Sequence, residues 1–282
     1  MKTLMIATDF SANSSHVANY AYRLAQALEA KLLLCHTLNV PAEVPQSGTV
    51  AWPEAVYDDI DRDSKLQLSK MKEDMIVTGN IDSYKPEILC IQGPGFVTDV
   101  VNTEADRYKA DLIIVGAHSN DHLGTWMVGN HSRKMIESAV RPLLLVPIGA
   151  KFQPIMRIGF ATDLKHINND LDALKNVVLL ARSLSAELIL AHIHWDVDDQ
   201  DYRLVIDALK DGIMTKYGYE KVSVRTVNSK HVANGLNWLI AHAHINLLAM
   251  AHHQHGFFDQ LFHGSRTQQS AGHMPVPLLV VK

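Results

Sequence analysis

The sequence is short of cysteine and aromatics, and it has no long run of apolar or of basic residues. Only two cysteines, Cys35 and Cys90, occur in 282 residues. That count excludes a disulfide framework, and thiols set inside apolar runs suit buried positions in a reducing compartment. No apolar stretch approaches the ~20 residues of a membrane-spanning helix. The formal net charge is -4 and no basic cluster stands out, so neither a nucleic-acid partner nor a membrane surface is indicated. Asp9 follows the first apolar run too early for a secretory signal, which reads as cytoplasmic. The chain has no G-x-S-x-G elbow and no H-E-x-x-H pair, so serine-hydrolase and metalloprotease readings lack their chemistry. Gly124 to Gly129 begins like a P-loop, but Asn130 and His131 stand where Lys and Ser or Thr are required.

What the chain does have is apolar residues at 47%, enough for a sizeable core, and a length that suggests two domains. It also repeats itself. Ala7-Thr8-Asp9 returns as Ala161-Thr162-Asp163. Leu24-Ala25 through Cys35-His36 returns as Leu180-Ala181 through Ala191-His192. Asp111 to Gly116 matches Asn246 to Ala251, and Arg141 to Val146 matches Val276 to Val281. Four blocks in one order do not arise by chance. The copies run 156 residues apart at Leu24 and Leu180 but 135 apart at Asp111 and Asn246, so the first carries about 21 extra residues. Their natural place is Val40–Asp59, where Pro41, Pro45, Gly48 and Pro53 read as a loop. That loop exposes Val50, Trp52, Pro53, Val56 and Tyr57 and suits a lid or partner surface. The domains are 1–148 and 154–282, with Pro147, Gly149 and Pro154 punctuating the join.

Within each copy, short apolar runs alternate with longer stretches of helical period. Strands are expected near Leu4–Thr8, Lys31–His36, Glu87–Ile91, Leu112–Val115 and Leu143–Val146. Helices are expected near Ser14–Leu28, Asp59–Val77, Phe96–Lys109 and Trp126–Ser138, the first capped by Ser11 or Asn13. Copy two places strands near Ile155–Ala161, Glu187–His192, Lys221–Thr226, Asn246–Met250 and Leu278–Val281. The strands are apolar throughout, as a parallel sheet covered on both faces requires. A β-α-β-α order predicts a doubly wound α/β sheet with right-handed crossovers and ligands at the carboxyl ends of its strands. Asp9 and Gly116 then share that edge if the first and fourth strands are neighbours.

After the fourth strand, Gly116-Ala117-His118-Ser119 is followed, nine residues on, by Gly129-Asn130-His131-Ser132 opening a helix. Glycine permits close backbone approach, and free N–H groups at a helix start attract phosphate; a strand-to-helix loop that simply needs glycine for its turn reads equally well. This pattern resembles the nucleotide loop of the universal stress protein family: Gly, two residues, Gly, nine residues, Gly, then Ser or Thr. Here Ser119 replaces the second glycine and Asn130 the hydroxyl. The resemblance runs along both copies, with an aspartate ending strand one, a His after strand two, the loop, and a Pro before the last strand. It implies two tandem five-stranded Rossmann-like domains of strand order 3-2-1-4-5.

The resemblance further implies an ATP-type site, with no catalytic residues, formed by Ala7, Asp9, Thr37, Val115, Gly116 and His118. Ser119, Gly129, Asn130, His131 and Ser132 complete its phosphate side, and magnesium bridges the phosphates. Asp9 meets the ribose and the Thr37 backbone the adenine. Copy two keeps Asp163 and the Gly264-Ser265 pair, with Thr267 beyond, but has Ala251 and Gln254 for the early glycines. Its site is read as degenerate, although Arg266 suits an anion. Family members pair through their last strands, which implies an intramolecular pseudo-dimer and leaves a homodimer open. The 16 histidines gather in copy two, at His192, His194, His242, His244, His252, His253, His255 and His263. None of their spacings is a zinc signature, so exposed or locally bonded imidazoles outweigh a metal site. Three readings stand: a cytoplasmic stress-response module that binds nucleotide, a slow ATPase using His118 or His131, and a scaffold with vestigial pockets or a metal or lipid-like ligand.

Overall fold

A computed structural model describes residues 1–38, 54–117, 130–194, 201–252 and 276–282. In the first copy the order is β1 (Thr3–Thr8), α1 (Ala12–Leu28), β2 (Lys31–Leu38), α2 (Glu54–Thr78), β3 (Ile88–Pro94), α3 (Val97–Arg107), β4 (Leu112–Ala117), α4 (Asn130–Ser138) and β5 (Leu143–Pro147). The second copy follows with β6 (Arg157–Ala161), α5 (Ile167–Leu184), β7 (Glu187–His194), α6 (Asp201–Tyr217), β8 (Val222–Asn228), α7 (Val232–His242), β9 (Leu247–Ala251) and β10 (Leu278–Val281). Each predicted strand is found within three residues of its expected ends.

The elements divide into two compact units. One holds β1–β3, α1–α3 and β4 up to Val115, and the other holds the last two residues of β4, α4 up to Glu137, β5 and the whole second copy. In the first unit the strand order is β3-β2-β1-β4, all parallel. The expected neighbourhood of strands one and four is therefore real, with Leu4 opposite Leu112 and Ile6 opposite Ile114. In the second unit the order is β5-β10-β9-β6-β7-β8. Its stretch β8-β7-β6-β9-β10 is the complete 3-2-1-4-5 order in one copy. β5 joins that unit by pairing antiparallel with β10, Leu144 opposite Leu279.

The inner strands are buried on both faces, as their composition dictates, whereas β3 and β8 at the edges are partly exposed. Leu4, Met5, Ile6, Ile113 and Ile114 have no exposure, and neither do Ile158, Phe160, Leu247 and Leu248. Each such side chain contributes about 1.5–3 kcal/mol of hydrophobic stabilisation. α1 lays Val17, Ala21, Leu24, Ala25 and Leu28 on the sheet, one turn apart. Of the two caps the sequence offered, Ser11 takes the role and accepts from the Ser14 N–H. The helix ends at Glu29 in the left-handed region (φ 50), and α5 ends the same way at Ser185 (φ 55).

One staple is also repeated. Asp111 Oδ2 accepts the Lys2 and Thr3 N–H groups at 2.6 and 3.0 Å. Asn246 Oδ1 accepts those of Met156 and Arg157 at 2.9 and 3.0 Å. The start of the fourth strand thus fixes the start of the first in both copies.

The reading of Val40–Asp59 as loop needs correction at its end. Residues 54–59 belong to α2, which begins at Glu54 directly after Pro53. Proline is tolerated at helix starts as well as in loops, so a proline in the sequence does not by itself extend a loop. The remainder of that segment, with the side chains of Val50, Trp52, Pro53, Val56 and Tyr57, lies outside the described residues, as do residues 126–129 of the expected fourth helix.

Candidate functional site

The chain runs outward from β1 to β2 and β3, then returns to β4 on the other side of β1. The winding reverses between β1 and β4, and at that reversal the carboxyl ends of the strands leave a crevice. Ala7 is half-buried near the end of β1, and Asp9 is exposed two residues on. Thr37 is half-buried near the end of β2, Val115 is buried on β4, and Gly116 follows it. The strand order places Ala7, Asp9, Thr37, Val115 and Gly116 at or near the carboxyl ends of β1, β2 and β4.

Asp9 is held by its own loop. Its Oδ1 accepts the Ser11 N–H at 3.0 Å and a short hydrogen bond from Ser14 Oγ, and its backbone N–H donates to Ser14 Oγ at 3.3 Å. Both partners belong to the cap and first turn of α1, so the helix start itself orients the carboxylate. Phe10, next along, has φ 61. Its ring centroid lies 4.1 Å from that of His36, whose Nδ1 is 2.8 Å from the Thr8 carbonyl oxygen. Ser14, Thr8 and the His36 bond were not singled out in the sequence. Thr8-Asp9 followed by a Ser-rich helix start is the signal that could have found the first two.

Of the residues expected to face phosphate, Ser132 is 4% exposed in the first turn of α4, and its Oγ donates to the Gly116 carbonyl at 3.1 Å. The hydroxyl thus ties the helix start to the end of β4. To bond a phosphate oxygen its proton must turn away from Gly116. Asn130 and His131 lie in the same turn, but their side chains, like His118, Ser119 and Gly129, are outside the described residues.

In copy two, Asp163 is half-buried and its Oδ1 accepts the Lys165 N–H at 3.0 Å. The place of Ser14 is taken by Asp170, 4% exposed, which accepts from Thr162 Oγ1 at 2.5 Å. Among the described residues, the hydroxyl that steadies Asp9 therefore has no counterpart beside Asp163. His192, 9% exposed, sets Nδ1 3.0 Å from the Thr162 carbonyl oxygen. With His194 and Tyr202 it forms a group of three rings, centroids 4.8–6.2 Å apart. Gly264, Ser265 and Thr267 lie outside the described residues.

The described residues contain no group of three or more His, Cys, Asp and Glu able to hold a metal. His36, His192 and His242 instead set Nδ1 against backbone carbonyls. The two thiols lie on neighbouring strands but face apart. Leu34, not Cys35, is opposite Cys90, and adjacent residues of a strand point to opposite faces. Burial, assisted by Glu104, pushes the Cys35 thiol up to about 12, so it stays protonated and inert. No helix among the described residues is long and apolar enough to cross a membrane.

A doubly wound parallel sheet, met twice, defines the class of Rossmann-like α/β protein, whose ligands characteristically lie at the carboxyl ends of the strands. The sequence profile of the universal stress protein family matches residues 1–147 and 154–282, and the chain belongs to that family. It is 30% identical over 146 residues to the universal stress protein in the QAH/OAS sulfhydrylase 3'region of Thermus aquaticus, covering 51% of this chain and 98% of that one. A universal stress protein from Archaeoglobus fulgidus has the same fold over 99% of this chain and 98% of its own, at 15% identity and a TM-score of 0.72. A putative universal stress protein from Pseudomonas aeruginosa matches 100% of this chain and 93% of its own, at 12% identity and a TM-score of 0.57.

Proposed function

We propose that this stress-response protein binds an adenine nucleotide of the ATP type in its first copy, and that the second copy's site is degenerate. The carrying observation is the pairing of β1 with β4, which brings Asp9 and Gly116 to the ends of adjacent strands. Asp9 offers a pre-oriented acceptor for a ribose hydroxyl. Val115 and Thr37 border the adenine, and the start of α4 supplies N–H groups for phosphate. Magnesium would come with the nucleotide. The described residues offer it no cage, and this ion characteristically keeps waters and borrows phosphate oxygens. In copy two, Asp170 replaces the hydroxyl that steadies the ribose acceptor, and Ala251 puts a Cβ where copy one has Gly116.

The β5–β10 pairing supports a pseudo-dimer closed within one chain. The protein would act in the cytoplasm as a binding module, with no dedicated catalytic group. Calorimetric titration of ATP against the wild type and Gly129→Lys tests the reading. The wild type binds and the variant, with a long side chain in the phosphate loop, does not. Heat of binding from neither would end the claim.

A further inference from the structure

One set of hydrogen bonds is the same in both copies, although the motifs around it have diverged. In copy one, the Phe10 N–H donates to Thr8 Oγ1 at 3.1 Å and the Ser11 N–H to Asp9 Oδ1 at 3.0 Å. In copy two, the Leu164 N–H donates to Thr162 Oγ1 at 2.9 Å and the Lys165 N–H to Asp163 Oδ1 at 3.0 Å. The residue after each aspartate is left-handed, Phe10 at φ 61 and Leu164 at φ 62. Side-chain-bearing residues adopt that region at a cost, and it persists where the surroundings over-determine it.

Those bonds are local to the turn. The tie from outside comes from the neighbouring strand: His36 Nδ1 against the Thr8 carbonyl at 2.8 Å, and His192 Nδ1 against the Thr162 carbonyl at 3.0 Å. A carbonyl oxygen only accepts, so Nδ1 carries the hydrogen in both imidazoles, and Nε2 is left as the acceptor when the ring is neutral. In copy one the Phe10 ring packs on the imidazole, so the turn and its anchor brace each other.

We infer that His36 is a positioning residue for Asp9, holding the end of β1 in the one conformation that presents the carboxylate, and that His192 does the same for Asp163. The anchoring stands on the geometry of both copies; its effect on ligand affinity rests on the nucleotide reading of copy one. The substitution His36→Asn keeps the contact, because the asparagine amide nitrogen reaches the place of Nδ1. His36→Ala removes it.

The full chain is studied as wild type, H36A and H36N by imidazole nitrogen NMR at about pH 8, above the ordinary imidazole range, and by ATP titration. The wild type shows the Nδ1–H tautomer at both His36 and His192. H36A shifts the Phe10 and Ser11 amide resonances and weakens ATP binding about tenfold, the scale of one lost hydrogen bond. H36N stays within about threefold of the wild type, since the donor is restored. An Nε2–H tautomer at His36, undiminished binding by H36A, or H36N as weak as H36A would each overturn the inference. If the wild type binds no nucleotide, the proposed function falls instead. The anchoring is then decided by the tautomer and by the Phe10 and Ser11 shifts in H36A.

Discussion

The two copies keep one frame but differ in how they fill it. Aligned on Ala7-Thr8-Asp9 and Ala161-Thr162-Asp163, β1 carries Met5-Ile6 where β6 carries Gly159-Phe160. At the residue before the fourth strand's staple, Ala110 in copy one corresponds to Ile245 in copy two. Gly159 and Ile245 touch: a Cβ at Gly159 would meet Ile245 Cδ1 at 2.6 Å. The large and small residues at these aligned positions are exchanged, Met5 and Ala110 in one copy and Gly159 and Ile245 in the other, the exchange that close packing favours. The polar edge changed in the same manner, Ser14 giving way to Asp170. One pair of packing positions drifted in a compensated way, while the aspartate turn kept its two backbone bonds, to Thr Oγ1 and to Asp Oδ1, in both copies. A shared frame therefore tolerates different contents wherever volume alone is at stake.

The sharpest way to break this comparison is Phe160→Ala. Phe160 is the large, fully buried side chain beside Gly159, and its truncation should lower the unfolding free energy by about 3–5 kcal/mol, read from a denaturant midpoint. A smaller effect tests the compensation itself. Gly159→Met should cost about 1–3 kcal/mol by overpacking against Ile245. Adding Ile245→Ala should recover much of that loss, a non-additivity that two independent sites would not show. The smallest effect is at the surface, where Lys31 pairs with Glu87 at 2.7 Å. The Lys31 ammonium holds the Glu87 carboxyl below its ordinary range. A carboxyl whose folded value is lowered adds stability above its unfolded value and loses it as pH falls through the folded one. Both groups are exposed and screened. Glu87→Gln should therefore leave the neutral-pH melting midpoint almost unmoved and slightly flatten its decline on the acid side.

Much of the fold was legible because its signals are local or periodic. The apolar runs, the helical spacing of Val17, Ala21, Leu24 and Leu28, and the repeat itself all lie on the surface of the text. The start of α2 at Glu54 was misread because three prolines and a glycine look like loop, whereas proline precedes helices as readily as it marks loops. Of the candidate site, Asp9 and Gly116 could be named, but not what holds them. The His36 contact spans 28 residues and exists only because β1 and β2 are neighbours. The Ser132 bond to Gly116 spans 16 residues, across a motif whose glycines drew attention to other chemistry. Long-range hydrogen bonds leave no spacing to read.

The antiparallel seam between Leu143–Pro147 and Leu278–Val281 has a consequence for regulation by abundance. A single-copy protein that closed this strand against another chain would part on dilution, because its pairing is bimolecular. Here the partner strand is tethered, and its effective concentration is set by the chain and not by the cell. The seam is therefore indifferent to expression level. A cell that raises or lowers the amount of this protein changes how many pairs it has, and not what fraction of them is closed.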